Sequence, residues 1–159
     1  MAVIRLNSEL KQLNKDPNYF YSVTPDDNNF LLWNFVMIGP PETYYEGGIF
    51  KGTIEFPKEY PNKAPRLLFD STMYHPNVYK DGLVCISILH EGVDEFNYEN
   101  ANERWNPSHS VNSILMSVLS MLGYPNFDSP ANIDASVEWR NQNESFKKKI
   151  YKQVSNSQS

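Results

Sequence analysis

The sequence predicts an α+β fold: an N-terminal helix, a four-stranded antiparallel meander, and then C-terminal helices. Three observations carry this. Val3, Leu6, Leu10 and Leu13 are spaced 3, 4 and 3 residues apart, which is one face of a helix. Four stretches rich in aromatic and β-branched residues follow, separated by turn-forming segments. Beyond them, Val111, Ile114, Leu115, Val118, Leu119 and Leu122 recur with helical spacing and make a wide apolar face. Helix, then strands, then helices is the order of an α+β chain.

Each element has its own signals. Asp16-Pro17 ends the first helix, because the residue before proline avoids helical geometry. The strands are expected at Phe20–Thr24, Phe30–Ile38, Gly48–Phe56 and Arg66–Phe69, with "PDDNN" and "GPPETYYEGG" as turns. Short turns between successive strands favour antiparallel pairing. Ser110 is placed to cap the helix that begins at Val111. In "SPANIDASVEWR", Ser129 is expected to cap a further helix, with Pro130 at its first position. A last helix is expected from about Glu144 to Val154, and the tail "SNSQS" is expected to fray.

The chain has 159 residues, with no internal repeat and no linker, so one domain over residues 1–159 is expected. That length buries a sizeable core without staples. The net charge of −5 argues against a nucleic-acid partner, which would call for a basic face. The first sixteen residues are too polar for a signal peptide, and no apolar run is long enough to span a membrane. A single cysteine cannot close an intramolecular disulfide and fits a reducing compartment, so a cytoplasmic or also nuclear setting is expected. Three scattered His and one Cys lack metal-ligand spacing, and no Gly-rich phosphate loop is present, so no cofactor is expected.

The chemistry centres on "YHPNVYKDGLVCISILHE", Tyr74–Glu91, which holds that one cysteine, Cys85. Among Val84, Ile86, Ile88 and Leu89, a lone Cys is by itself more often buried, inert core filling than a working thiol. A hydrolytic Cys needs a base, and His75, His90 and His109 are the candidates, none with a local signature. A papain-like arrangement puts its His about 130 residues downstream, further than this chain extends beyond Cys85. Thioester exchange is less demanding. A free thiol has a pKa near 8.5, so a few per cent is thiolate at neutral pH, enough to accept an already activated acyl group. The later attack by an amine builds an oxyanion, which wants a hydrogen-bond donor more than a base. Asn77, behind Pro76 in "HPN", is either such a donor or a turn former.

"HPN" at His75–Asn77 followed by Cys85 resembles the signature of the ubiquitin-conjugating enzymes. "GPPETYYEGGIF" (Gly39–Phe50), "FPKEYPNKAP" (Phe56–Pro65), "WNP" (Trp105–Pro107) and "PNFDSPANIDA" (Pro125–Ala135) resemble further motifs of that family, in the same order. The resemblance covers roughly residues 3–154. "CISILHE" and "DSPANIDASVEWR" resemble the G-type subgroup. So does the stretch before "ERW", where the cell-cycle members also carry an acidic insert. Here that insertion covers about residues 90–104 and includes Asp94, Glu95, Glu99 and Glu103.

The resemblance implies the ubiquitin-conjugating (UBC) fold and a ubiquitin-conjugating enzyme. Cys85 would accept ubiquitin from the activating enzyme as a thioester and pass it to lysines of protein substrates or of ubiquitin, with a ubiquitin ligase bound. ATP would be used by the activating enzyme upstream. Asn77 would steady the oxyanion or hold the loop around the cysteine, and His75 and Pro76 would fix the turn. Arg5, Asn62, Asn106 and Pro107 stand at ligase-binding positions of the RING type, and Ser22 at a position that contacts a second ubiquitin in some members. The G-type likeness implies chains that direct substrates to the proteasome. Many members have an aspartate where this chain has Ser129, and that carboxylate helps orient and deprotonate the incoming lysine. The expectation is that Asp94, Glu95, Glu99 or Glu103 supplies the missing charge. The alternatives are an inactive ubiquitin-binding variant, an enzyme for another ubiquitin-like modifier and, more remotely, a cysteine hydrolase.

Overall fold

The computed structural model of the chain describes residues 1–92, 104–142 and 144–159. Helix α1 (Ala2–Lys15) precedes strands β1 (Tyr21–Pro25), β2 (Leu32–Ile38), β3 (Ile49–Glu55) and β4 (Arg66–Phe69). A short 3₁₀ turn spans Ser87–Leu89, and helices α2 (Val111–Met121), α3 (Ile133–Arg140) and α4 (Glu144–Ser157) complete the described chain. The four strands form one antiparallel sheet in sequence order, as expected for a meander.

Strand alternation decides which face is buried. Trp33, Phe35 and Met37 of β2 point inward beside Phe50 and Ile54 of β3 and Leu67 and Phe69 of β4. These residues join Leu6 of α1, Ile114, Leu115 and Val118 of α2, and Phe146 and Ile150 of α4 in one hydrophobic cluster. Aromatic rings meet edge to face across the register, as in Phe35–Phe69 at 5.4 Å and Trp33–Phe56 at 5.0 Å. The opposite face of the sheet is wetter, and Ser22 lies exposed on it.

The helix ends follow local hydrogen bonding. The Ser110 hydroxyl accepts the Ser113 N–H at 3.1 Å, and the Ser113 hydroxyl accepts the Ser110 N–H at 3.2 Å, a reciprocal capping box. Three expectations are corrected. Val3 is 47% exposed, and Ala2 takes its place against the core because α1 begins one residue earlier on that face. Ser129 and Pro130 do not open α3. The backbone N–H groups of Ala131 and Asn132 both donate to the Pro76 carbonyl, at 2.8 and 3.0 Å, which holds this stretch outside the helix. Asn132 is the cap instead, its side-chain oxygen accepting the Ala135 N–H at 3.1 Å. Finally, α4 runs through the expected tail. The Ser157 hydroxyl accepts the Ile49 N–H at 2.9 Å, and Gln158 donates to the Gly47 carbonyl at 2.8 Å, so contacts with β3 and its turn hold the end of the chain in helix.

Candidate active site

Cys85 stands at the end of a small hairpin. Its N–H donates to the Asn77 carbonyl at 2.8 Å, Val78 bridges Val84, and the Tyr79 N–H donates to the Leu83 carbonyl at 2.9 Å. Gly82 closes the tip with φ +97°, and a Cβ there would sit 2.2 Å from the Phe69 carbonyl oxygen. That approach lets the Gly82 carbonyl accept the Phe69 N–H at 2.8 Å, while the Val84 N–H donates to Leu67 at 2.9 Å. The hairpin is thereby strapped to β4, the last strand of the sheet.

The HPN turn is fixed from beneath. His75 is fully buried, ringed by Tyr45 and Trp139 at centroid distances of 5.7 and 5.6 Å. Its Nδ1 accepts the Asn77 N–H at 2.9 Å, so Nε2 carries the proton and donates to the Met121 carbonyl at 2.6 Å. Burial lowers its pKa to about 4, only partly offset by the bond to Met121. A neutral imidazole, fully buried with both nitrogens engaged, is a brace, and neither nitrogen is left to exchange a proton with a substrate.

Asn77 is 2% exposed, and both polar atoms of its side chain are used. The amide nitrogen donates to the Asn126 carbonyl at 2.8 Å, and the amide oxygen accepts the Asn126 N–H at 2.9 Å. This pair clamps the 125–128 segment over the active-site turn, while the Pro76 carbonyl holds 131–132. Ser129 lies between the two clamps, exposed at the surface.

Cys85 itself is half-buried. Its sulfur lies 3.5 Å from His90 Nε2, because the 3₁₀ turn Ser87–Leu89 folds the fifth residue after the cysteine back over it. Tyr79 stands on the facing strand of the hairpin. Its phenol pKa is raised, chiefly by the Cys85 charge, with burial, a hydrogen bond to Cys85 and the charge of Asp81 adding to it. A phenol held protonated is a donor toward a thiolate. The sequence offers His90 as one of three candidate bases without distinction, and nothing in it marks Tyr79. Two clefts are lined by chain neighbours of Cys85. One, of about 380 Å³, is lined by Asn77, Ile86, Ser87 and Asn126 among others. The second, of about 830 Å³, runs between the hairpin tip and the start of α3.

The chain leaving Cys85 returns close to its starting point. The Trp105 N–H donates to the His90 carbonyl at 2.9 Å, and the Arg104 guanidinium donates to the Glu91 and Gly92 carbonyls at 2.5 and 3.0 Å. The described residues that flank positions 93–103 are therefore pinned together. Asp94, Glu95, Glu99 and Glu103 lie outside the described residues.

The four expected ligase contacts fall on one connected surface. Arg5 donates to the carbonyls of Pro107 and His109 at 2.9 and 2.8 Å and to Glu9 at 2.9 Å. The Trp105 indole donates to the Pro61 carbonyl at 2.8 Å, which brings Asn106 toward the loop that carries Asn62. Asn62 and Pro107 are exposed, and the Asn106 amide oxygen is held by Ser108. Glu9 is a hub that sequence inspection misses. Its carboxylate also accepts from the Tyr60 hydroxyl at 2.5 Å and from the Val111 N–H at 2.7 Å.

A domain of a four-stranded meander and four helices, with one thiol paired against a braced HPN turn, is a definite class of protein. The family model for "Ubiquitin-conjugating enzyme" matches residues 5–154, and this chain belongs to that family of transferases acting through a thioester. It is 49% identical to ubiquitin-conjugating enzyme E2 7 of Arabidopsis thaliana, over 99% of this chain and 96% of that protein. It is 47% identical to the probable ubiquitin-conjugating enzyme E2 7 of Caenorhabditis elegans, over 96% and 94%. It is 46% identical to human ubiquitin-conjugating enzyme E2 G2, over 96% and 93%, and this likeness places it in the G-type subgroup. Membership implies ubiquitin, an activating enzyme and a ligase as partners. Among the described residues, no helix is long and apolar enough to cross a membrane.

Proposed function

We propose that Cys85 is the thiol that carries ubiquitin, and that the chain hands it to lysine amines of protein substrates and of ubiquitin. One observation carries this. The family works through a thioester, and Cys85 is the only thiol in the sequence. It is half-buried on a hairpin strapped to the sheet.

The activating enzyme, which uses ATP, presents ubiquitin's C-terminus as a thioester. The Cys85 thiolate attacks that carbonyl, and the activating enzyme's thiol leaves. Among the described residues, the Tyr79 phenol and the His90 imidazole are placed to stabilise the thiolate. A lysine amine then attacks the new thioester and Cys85 departs. The bonds from Asn77 to Asn126 support the loop-holding role for Asn77 over direct oxyanion donation. His75 and Pro76 hold the turn from which Asn77 projects. Ser129 offers no carboxylate to the incoming amine. The insertion of about residues 90–104 starts at His90, beside the Cys85 sulfur, and the Trp105 N–H that follows it bonds back to the His90 carbonyl, which supports Asp94, Glu95, Glu99 or Glu103 as the source of that charge. A RING-type ligase would dock at Arg5, Asn62, Asn106 and Pro107. The setting is cytoplasmic or also nuclear, the product is proteasome-directed ubiquitin chains, and no cofactor is needed.

The test mixes the protein with activating enzyme, ATP and ubiquitin and runs a non-reducing gel. A thiol-sensitive adduct that Cys85→Ala loses is expected, with Cys85→Ser giving a thiol-resistant one. An adduct with another modifier and none with ubiquitin would overturn the choice of ubiquitin. Neutralising Asp94, Glu95, Glu99 and Glu103 together should slow lysine transfer and spare loading, and unchanged transfer refutes their role.

A further inference from the structure

We propose that Glu91 is a positioning residue for the active-site thiol: by accepting the Ala64 N–H at 2.7 Å it holds His90 against Cys85. Its bearing on acyl transfer rests on Cys85 being the carrier. The 3.5 Å contact between Cys85 and His90 depends on how the chain is held on both sides of the imidazole. The near side is fixed by the 3₁₀ turn, where the His90 N–H donates to the Ser87 carbonyl at 2.9 Å. On the far side the backbone passes through Gly92 at φ +76°, and a Cβ there would meet no described atom within 4 Å. Glu91 itself is exposed. Hydrogen bonds, and not burial, therefore set the direction of the chain beyond His90.

The anchor for those bonds is rigid. Ala64 lies in the 57–65 loop, whose Tyr60 is 1% exposed and donates its hydroxyl to Glu9 at 2.5 Å. The same loop receives the residue on the other flank of positions 93–103, since the Trp105 indole donates to the Pro61 carbonyl at 2.8 Å. The Trp105 N–H in turn donates to the His90 carbonyl at 2.9 Å. His90 is thus gripped at its own backbone through Trp105 and at the next residue through Glu91, and both grips end on one loop. An ionised carboxylate makes the bond to Ala64 charge-assisted, and stronger than a neutral one.

Glu91 can act on the Cys85 thiolate in two opposed ways. Its negative charge disfavours a second one nearby, whereas its bond to Ala64 keeps an imidazole donor at the sulfur, which favours the thiolate. The second effect dominates, because an exposed charge is screened by solvent and salt, while His90 Nε2 is in contact with the sulfur. Other described charged or titratable groups around this corner come from several elements. Tyr79 and Asp81 stand on the hairpin, Lys63 is next to Ala64, and Arg104 bonds to the Glu91 carbonyl. His109 Nε2 lies 3.0 Å from the Arg104 carbonyl. All of them are retained when Glu91 alone is changed, so their effects cancel in the comparison.

The experiment measures iodoacetamide alkylation of the full chain as a function of pH. Cys85 is the only thiol in the sequence, so one rate is read. Glu91→Ala should raise the midpoint of the profile by about half a pH unit, which is roughly threefold less thiolate at neutral pH. Glu91→Gln keeps an acceptor for the Ala64 N–H and should stay near the wild-type midpoint. In a His90→Asn background, Glu91→Ala should add nothing further. An unchanged midpoint in Glu91→Ala overturns the proposal. So does a lowered midpoint in both Glu91 variants, which is the signature of a charge acting directly, or an undiminished shift without His90. Alkylation involves no ubiquitin, so these results stand apart from the carrier role of Cys85. A loading gel without a thiol-sensitive adduct would fail that role and leave the alkylation comparison intact.

Discussion

Replacing His75 by Gln tests the brace beneath the active site through its pH dependence. Burial sets the folded pKa near 4, against an ordinary value of 6.5. On acidification the unfolded chain takes up this proton first, so the brace contributes fully above pH 6.5 and its contribution is lost as pH falls toward 4. The full difference is worth about 3 kcal/mol, and roughly 2 kcal/mol of it disappears between pH 7 and pH 4.5. For a chain of this size that is a fall in Tm of roughly 4–8 °C. Gln keeps a donor for the Met121 carbonyl and an acceptor for the Asn77 N–H but does not titrate. Urea unfolding at both pH values should therefore show the wild type losing about 2 kcal/mol more than the variant. The comparison cancels other acid-sensitive groups such as Glu138, whose pKa is lowered by its hydrogen bond from Tyr74 and by Lys149. Equal losses in the two proteins would mean that His75 is not held neutral by burial.

Further outcomes follow from single contacts. Asn77→Ala removes both bonds to Asn126 and should destabilise by about 1–3 kcal/mol while opening the 125–128 segment. Unchanged hydrogen exchange at the Asn126 amide would contradict the clamp. Glu9→Ala strands the Tyr60 hydroxyl and the Val111 N–H, and a melting curve should show a loss of about 2–3 kcal/mol. Ser110→Ala breaks the capping box and should cost about 1 kcal/mol, with α2 fraying at its first turn in exchange data. Ser129→Asp should speed lysine transfer at equal thioester loading in single-turnover assays. No gain would show that the charge is already supplied.

Periodicity and motif spacing identified the elements in their right order, because those signals are local. The apolar stripe from Val111 to Leu122 can only be buried as a helix, and the meander strands alternate as a half-buried sheet must. The misreadings lie where a distant group decided the outcome. Ser129-Pro130 is a sound helix start by its own chemistry, but the Pro76 carbonyl, more than fifty residues earlier, captures the two N–H groups after it. The tail looks like a fraying end until the Ser157 hydroxyl finds the Ile49 N–H.

The same division runs through the site. By itself the sequence determined which thiol is available to carry an acyl group, since it holds one cysteine, and the HPN turn before it, since those three residues are contiguous. Only the tertiary structure decided how these parts are held. His75 is neutral because Tyr45, Trp139 and the Met121 carbonyl enclose it, Asn77 is a clamp because Asn126 meets it, and His90 reaches Cys85 because a 3₁₀ turn folds between them. Hydrogen bonds and burial depend on which groups meet in space, and chain spacing does not specify those meetings.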